Sequence, residues 1–147
     1  MKTARKTGLF FIAMSGLLLA ACDSTPTEPE AGGGYLLDRV SANRDFQPPT
    51  PDDRLTVHLV VRRLDGQEVP PGVNPTQVEA TLLSSGETWE TGFDRITHFE
   101  GQVEALARRG PRWPVGEFVE ISVVVEDGSG GPTFRLSVAR VQITSSS

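Results

Sequence analysis

The feature that most constrains the fold is a ten-residue run, residues 117–126, in which apolar and polar side chains alternate. One face of an extended chain would carry Val119, Ile121, Val123 and Val125. Since successive side chains of a strand point to opposite sides, the run predicts a strand with one buried face. The sequence DGSGG at residues 127–131 then predicts a hairpin turn.

Other segments with the same alternation are separated by turns rich in glycine and proline. We predict strands at residues 55–63, 77–83, 88–91 and 133–143, with a short edge strand at 35–37. Residues 38–54 and 67–76 each contain three prolines and are predicted as loops, with Phe46 packing locally.

Two segments leave alternatives open. In residues 133–143, Leu136 and Ile143 would point to opposite faces of a regular strand. This predicts a bulge near residues 139–140 or a strand that crosses from one sheet to another. In residues 93–109, the alternation favours a strand, whereas Thr97 and Glu100 have the spacing of a helix capping box.

About seven short strands predict an all-β domain, an antiparallel β-sandwich, over residues 35–147. The strand–Asp65-Gly66–strand run at residues 55–83 and the Trp113-Pro114-Val115-Gly116 segment resemble immunoglobulin-like and transthyretin-like modules of bacterial exported proteins. The resemblance implies an Ig-like sandwich with a structural or binding role. The immunoglobulin disulfide is absent, since the chain has one cysteine.

An uncharged segment, residues 8–21, follows a short cationic start. As a helix its fourteen residues would span about 21 Å, less than the ~30 Å hydrocarbon core, which favours a cleaved leader over a membrane span. The segment ends Leu19-Ala20-Ala21-Cys22, which resembles the lipobox of bacterial lipoproteins. The resemblance implies a signal peptide at residues 1–21 and lipid on Cys22. The alternative is an ordinary leader cut after Ala20 or Ala21.

The resemblance implies further that the chain is anchored in the bacterial cell envelope. Asp23 resembles an inner-membrane retention signal of some two-membrane bacteria, but the choice between inner and outer membrane stays open. Residues 22–34 contain the lipidated cysteine and a segment rich in proline, glutamate and glycine, which predicts a flexible linker. Cleavage would leave 11 basic and 19 acidic residues, a net charge of −8, which argues against a nucleic-acid partner.

No pattern of catalytic or metal-binding residues stands out, so we predict no enzyme activity, no metal and no cofactor. The two histidines, His58 and His98, lack the spacing of a metal site, and no nucleophile motif such as GxSxG occurs. Residues 126–129 could also supply oxygen ligands to calcium, but a hairpin turn accounts for those residues.

The most unusual local cluster combines arginine with tryptophan, residue types enriched at protein interfaces. It comprises Arg108, Arg109, Arg112 and Trp113, which we treat as a candidate contact with an envelope protein. In the alternative, Trp113 plugs the core and the arginines pair with nearby acids. The predicted function is a structural or protein-binding lipoprotein; the alternative is a small-molecule or glycan receptor, which would be favoured if Trp89 and Trp113 were exposed on one face.

Overall fold

Strands make up all the regular secondary structure of the described residues, with no helix among them. They are β1 (Tyr35–Asp45), β2 (Leu55–Arg63), β3 (Val73–Leu82), β4 (Thr88–Thr91), β5 (Arg95–Phe99), β6 (Gln102–Ala107), β7 (Phe118–Asp127) and β8 (Thr133–Ser146). The computed structural model describes residues 32–46 and 53–146. The predicted signal peptide, Cys22 and most of the predicted linker lie outside these residues. The all-β prediction is confirmed.

The eight strands form one mixed sheet in the order β4-β3-β7-β8-β1-β2-β6-β5, curled into a half-barrel. Its two edge strands, β4 and β5, are consecutive in the chain and joined by residues 92–94. Four Cα steps of about 3.8 Å span at most about 15 Å, so the two edges of the sheet lie close together. This short connection requires the sheet to curl.

One strand pair departs from the predicted antiparallel arrangement. The last residues of β1, Ala42–Asp45, pair in parallel with Ile143–Ser146 of β8. All other strand pairs in the described sheet are antiparallel. The first and last strands of the fold are therefore neighbours, and the sheet has eight strands where about seven are predicted.

The core lies on the concave side of the sheet and is supplied by the predicted apolar faces. In β7, Val119, Ile121, Val123 and Val125 are fully buried. The alternating residues of β2 belong to the same core cluster, and Leu55, Val57, Leu59 and Val61 are also fully buried. Burial of each such side chain stabilises the fold by about 1.5–3 kcal/mol.

The bulge predicted near residues 139–140 is confirmed. Val119 pairs with Val141 but Ile121 pairs with Val138, so β8 holds one more residue than β7 in this interval. The extra residue changes the parity of the strand, and Leu136 and Ile143 are both fully buried. β8 pairs with β7 along most of its length and with β1 at its end.

Several loop boundaries are wrong. β1 continues to Asp45, although residues 38–54 are predicted as a loop, and it lies inside the sheet instead of at an edge. A bulge between Leu37 and Arg39 interrupts its alternation, which hides the strand in the sequence. β3 begins at Val73 and accommodates Pro75 beside a second irregularity. Phe46 is 45% exposed and lies against the nearby Arg44 guanidinium, which is a local contact as predicted.

Residues 93–109 form the β5–β6 hairpin, so the strand prediction is confirmed and the helical alternative is wrong. Phe99 pairs with Gln102 across a two-residue loop. Both loop residues have positive φ, 47° at Glu100 and 74° at Gly101, as a type I′ turn requires. The turn interrupts the single long strand that the alternation favours.

Candidate functional site

The half-barrel has two ends with different chemistry. One end contains paired residues at or near the strand termini: Arg44–Leu55, Val57–Ala107 and Leu82–Val119. We call this the distal end; its loops and strand ends are residues 44–46, 53–55, 83–87 and 108–117. The opposite, entry end comprises residues 32–35, 63–73, 99–102 and 126–132.

The described chain begins at the entry end with a tight turn. Gly32 and Tyr35 exchange two backbone hydrogen bonds, at 3.1 and 2.9 Å. The two glycines between them have φ of 60° and 85°, the left-handed region that glycine adopts without steric cost. The residues before Gly32, Cys22 included, are therefore attached at the end opposite the arginine-rich loop.

The loop of residues 108–117 crosses the distal end from β6 to β7, and Trp113 closes the core beneath it. Trp113 is 5% exposed and belongs to the core cluster. Gly110 donates to the Leu55 carbonyl at 2.9 Å, and Leu55 donates to the Pro111 carbonyl at 3.1 Å. A Cβ on Gly110 would lie 2.9 Å from the Leu55 side chain and 3.0 Å from Trp89, so only glycine allows this approach. The position of Trp113 agrees with the alternative in which it plugs the core.

A cluster of charged groups fastens this loop to the segment before β2. Arg112 Nε donates to both carboxylate oxygens of Asp53, at 2.9 and 2.8 Å. Arg44 donates to the Asp53 carbonyl at 2.6 Å and to the Trp113 carbonyl at 3.1 Å. Its guanidinium is also 3.7 Å from the Asp53 carboxylate. Arg112 is thus held in an ion pair, as the alternative for the arginines predicts.

This cluster gives the fold a specific sensitivity to acid. The hydrogen bond from Arg112, with the charges of Arg112 and Arg44, lowers the pKa of Asp53 below its ordinary value of 3.8. A carboxyl whose pKa falls on folding stabilises the fold above its unfolded pKa, and this contribution is lost as pH falls through the folded pKa. We expect Asp53→Asn to reduce stability at pH 6, and the difference from the natural chain to shrink as pH falls below 3.8.

Urea unfolding at several pH values between 7 and 2, followed by circular dichroism, measures this difference. The effect is small because Asp53 is exposed to solvent, which screens its charge. Glu87→Gln provides an exposed control at the same end, since the Glu87 side chain is bonded to Ser85 alone among the described residues. A difference between natural chain and Asp53→Asn that stays constant from pH 6 to 2 would contradict the assignment.

Arg108 and Arg109 differ from Arg112 because both are exposed and neither has an ion-pair partner in the described part of the chain. Within residues 32–46 and 53–146, no carboxylate lies at salt-bridge distance from either guanidinium. The backbone N–H of Arg108 donates to the Asp94 carboxylate at 2.7 Å. Arg109 adopts a φ of 65°, which is uncommon for a residue other than glycine. Two charged side chains are therefore presented to solvent from a fixed backbone.

Three large apolar side chains are also exposed at the distal end: Phe46 (45%), Leu83 (45%) and Val115 (43%). The guanidinium of Arg44 stacks on the Phe46 ring at 4.8 Å from its centre. Sequence reasoning did not single out these residues as a site. The signal that identifies them is their position directly beyond a strand end or in the loop leading into one.

The two tryptophans are not both exposed on one face. Trp113 is buried and Trp89 is half-buried against the core. Of the histidines, His58 Nε2 is 4.0 Å from Glu104, and His98 contacts the Asn74 side chain at 3.1 Å. The described part of the chain contains no group of three or more histidine, cysteine or acidic residues placed to hold a metal ion.

Open clefts lie along the sheet. One of about 390 Å³ runs between β1 and β8, where Val40, Val138 and Val141 form an apolar lining and Asp38 and Arg140 contribute charge. A second, of about 410 Å³, lies at the entry end beside Tyr35 and the paired Arg63 and Asp65. Neither brings together residues that the sequence singled out as candidate sites.

Comparison with known proteins gives no relative: no family model, curated protein or solved structure matches the chain significantly. Among the described residues, no helix is long and apolar enough to cross a membrane.

Proposed function

We propose that this chain is a lipid-anchored protein of the bacterial cell envelope whose distal end binds another protein. The observation that supports it best is the composition of that end, where Arg108 and Arg109 have no ion-pair partners in the described chain and exposed apolar side chains lie at the same end. Arginine and large apolar side chains are typical of interface contacts. The proposed function involves no enzyme activity, no cofactor and no nucleic-acid partner.

The orientation that a lipid anchor would give the domain supports the same proposal. Cys22 precedes Gly32 by ten residues, and Gly32 lies at the entry end. Lipid on Cys22 would therefore hold the entry end toward the membrane and turn the distal end away from it. The anchor itself is proposed on the lipobox-like Leu19-Ala20-Ala21-Cys22 sequence. The proposal leaves the choice between inner and outer membrane open, with Asp23 as the residue that favours the inner one.

The immunoglobulin-like arrangement is also part of the proposal. A core enclosed between facing halves of the curled sheet is consistent with a β-sandwich module, which commonly binds ligands through the loops at its ends. The alternative function, a small-molecule or glycan receptor, has weaker support because the described structure shows no exposed face shared by Trp89 and Trp113.

Replacing Cys22 with serine tests the anchor. We expect the natural chain in the membrane fraction, and the Cys22→Ser variant either released or retained with its leader uncut, because serine has no thiol to accept the lipid. Membrane fractionation with mass spectrometry of the N-terminus distinguishes these results. Ser24→Ala, two residues away, is the matched control and should remain in the membrane. A Cys22→Ser chain that is cut, still carries lipid and stays in the membrane fraction would contradict the anchor.

Site-directed photo-crosslinking in intact cells tests the binding end. A photoreactive residue replaces Val115 at the distal end or Leu64 at the entry end, both of which are exposed. We expect a discrete crosslinked protein from position 115 and not from position 64. The same product from both positions, or from position 64 alone, would argue against distal binding.

A further inference from the structure

Charge is distributed unequally between the two ends of the half-barrel. Five of the eleven arginines that follow residue 22 lie at the distal end: Arg44, Arg54, Arg108, Arg109 and Arg112. The described residues of that end include four carboxylates, at Asp45, Asp53, Glu87 and Glu117. The entry end has the opposite balance, with Arg63 against Asp65, Glu68, Glu100, Glu126 and Asp127.

Carboxylates at and near the distal end are already bonded, which increases the difference in charge between the two ends. The Asp53 carboxylate is already bonded to Arg112 and lies within 3.7 Å of Arg44. Asp94, just beyond the distal loops, accepts the backbone N–H of Arg108 at 2.7 Å. Among the described residues no group accepts a hydrogen bond from the Arg108 or Arg109 guanidinium, which leaves these donors for another molecule, in a chain whose net charge is −5 overall.

The backbone that holds these two arginines is fixed on both sides. Asp94 holds the N–H of Arg108, and Leu55 exchanges hydrogen bonds with Gly110 and Pro111. Between these contacts Arg109 is kept at a φ of 65°, a conformation that persists only where the surroundings enforce it. A loop that is already ordered loses less conformational entropy when it binds.

We propose that the distal end recognises an acidic segment of its protein partner, with carboxylates bound by Arg108 and Arg109. The guanidinium fork matches the geometry of a carboxylate and forms short, charge-assisted hydrogen bonds. Exposed Leu83 and Val115 at the same end supply apolar contact. The acidic entry end repels such a segment, so the field of the domain steers it to the distal end. This inference rests on the proposed protein-binding function and adds the chemistry of the partner.

Fluorescence anisotropy tests the proposal with the chain from residue 22 onward carrying Cys22→Ser. The probe is a fluorescein-labelled peptide of six glutamates and one leucine, compared with a peptide in which glutamine replaces glutamate. We expect the double variant Arg108→Gln/Arg109→Gln to bind the acidic peptide at least about tenfold more weakly, as loss of charge-assisted hydrogen bonds implies. Binding by the natural chain should weaken with added salt.

The matched control is Arg39→Gln/Arg62→Gln, which removes the same charge from two exposed arginines outside the distal end. It should retain the affinity of the natural chain, and urea unfolding checks that both double variants fold. Equal weakening in the two variants, or equal binding of the glutamine peptide, would overturn the proposal. Inorganic phosphate that displaces the peptide at micromolar concentration would overturn it too, since the site would then be a phosphate site.

Failure of this inference is distinguishable from failure of the proposed function. A crosslinked product from position 115 that survives Arg108→Gln/Arg109→Gln shows partner binding without recognition of carboxylates. Loss of that product in Arg108→Gln/Arg109→Gln, together with its retention in Arg39→Gln/Arg62→Gln, supports both the inference and the proposed function.

Discussion

Replacing Trp113 with alanine is expected to lower the free energy of unfolding by about 3–5 kcal/mol, the range found for buried aromatic residues truncated to alanine. Trp113 is 5% exposed and fills the distal end of the core beneath the loop of residues 108–117. Its removal leaves a cavity that the loop cannot close, because Arg44 and Leu55 hold the loop backbone through hydrogen bonds.

Urea unfolding followed by circular dichroism measures this loss without depending on tryptophan fluorescence. The matched control is Trp89→Ala, which removes the same side chain from a half-buried position on β4. We expect a smaller loss there, since less apolar surface returns to water. An equal or larger loss for Trp89→Ala would show that Trp113 does not close the core.

Truncation after Gln142 is expected to prevent folding. It removes Ile143, which is fully buried, and all four residues of β8 that pair with β1. Loss of the Ile143 side chain alone costs about 2–5 kcal/mol, and a domain of this size has a total stability of about 5–15 kcal/mol. The free backbone edge of β1 adds to this loss.

The control is truncation after Thr144, which retains Ile143 and Thr144, two of the four paired residues. Thr144 itself is exposed. We expect this variant to fold with reduced stability, and its circular dichroism spectrum to keep the β-sheet signal that the shorter chain loses. A folded chain ending at Gln142 would show that the parallel pair contributes little.

The strands with uninterrupted alternation were predictable from the sequence. β2 has the predicted bounds, and the buried face of β7 consists of the predicted residues. β1 was hidden because the bulge after Leu37 breaks its period and polar residues predominate after it. Its parallel pairing with β8 could not be foreseen, because local periodicity holds no information about which distant strand becomes a neighbour.

The candidate site was predictable only in its local part. Arg108, Arg109, Arg112 and Trp113 stand together in the sequence, and their unusual composition identified them. The bond between Arg112 and Asp53 joins residues 59 positions apart, so it could not be read from spacing. Likewise, Phe46, Leu83 and Val115 come from separate loops, and only the arrangement of the strands places them at one end of the half-barrel.

The pairing of the first strand with the last has a consequence for the time course of folding. β1 lies between β2 and β8, so its second edge stays open until residues 143–146 have been synthesised. Contacts between distant segments form slowly because a long loop must close before they stabilise the chain. An incomplete chain therefore lacks the pairing that finishes the sheet. If the chain is exported as proposed, this delay favours an unfolded state during translocation and folding once the whole chain has crossed.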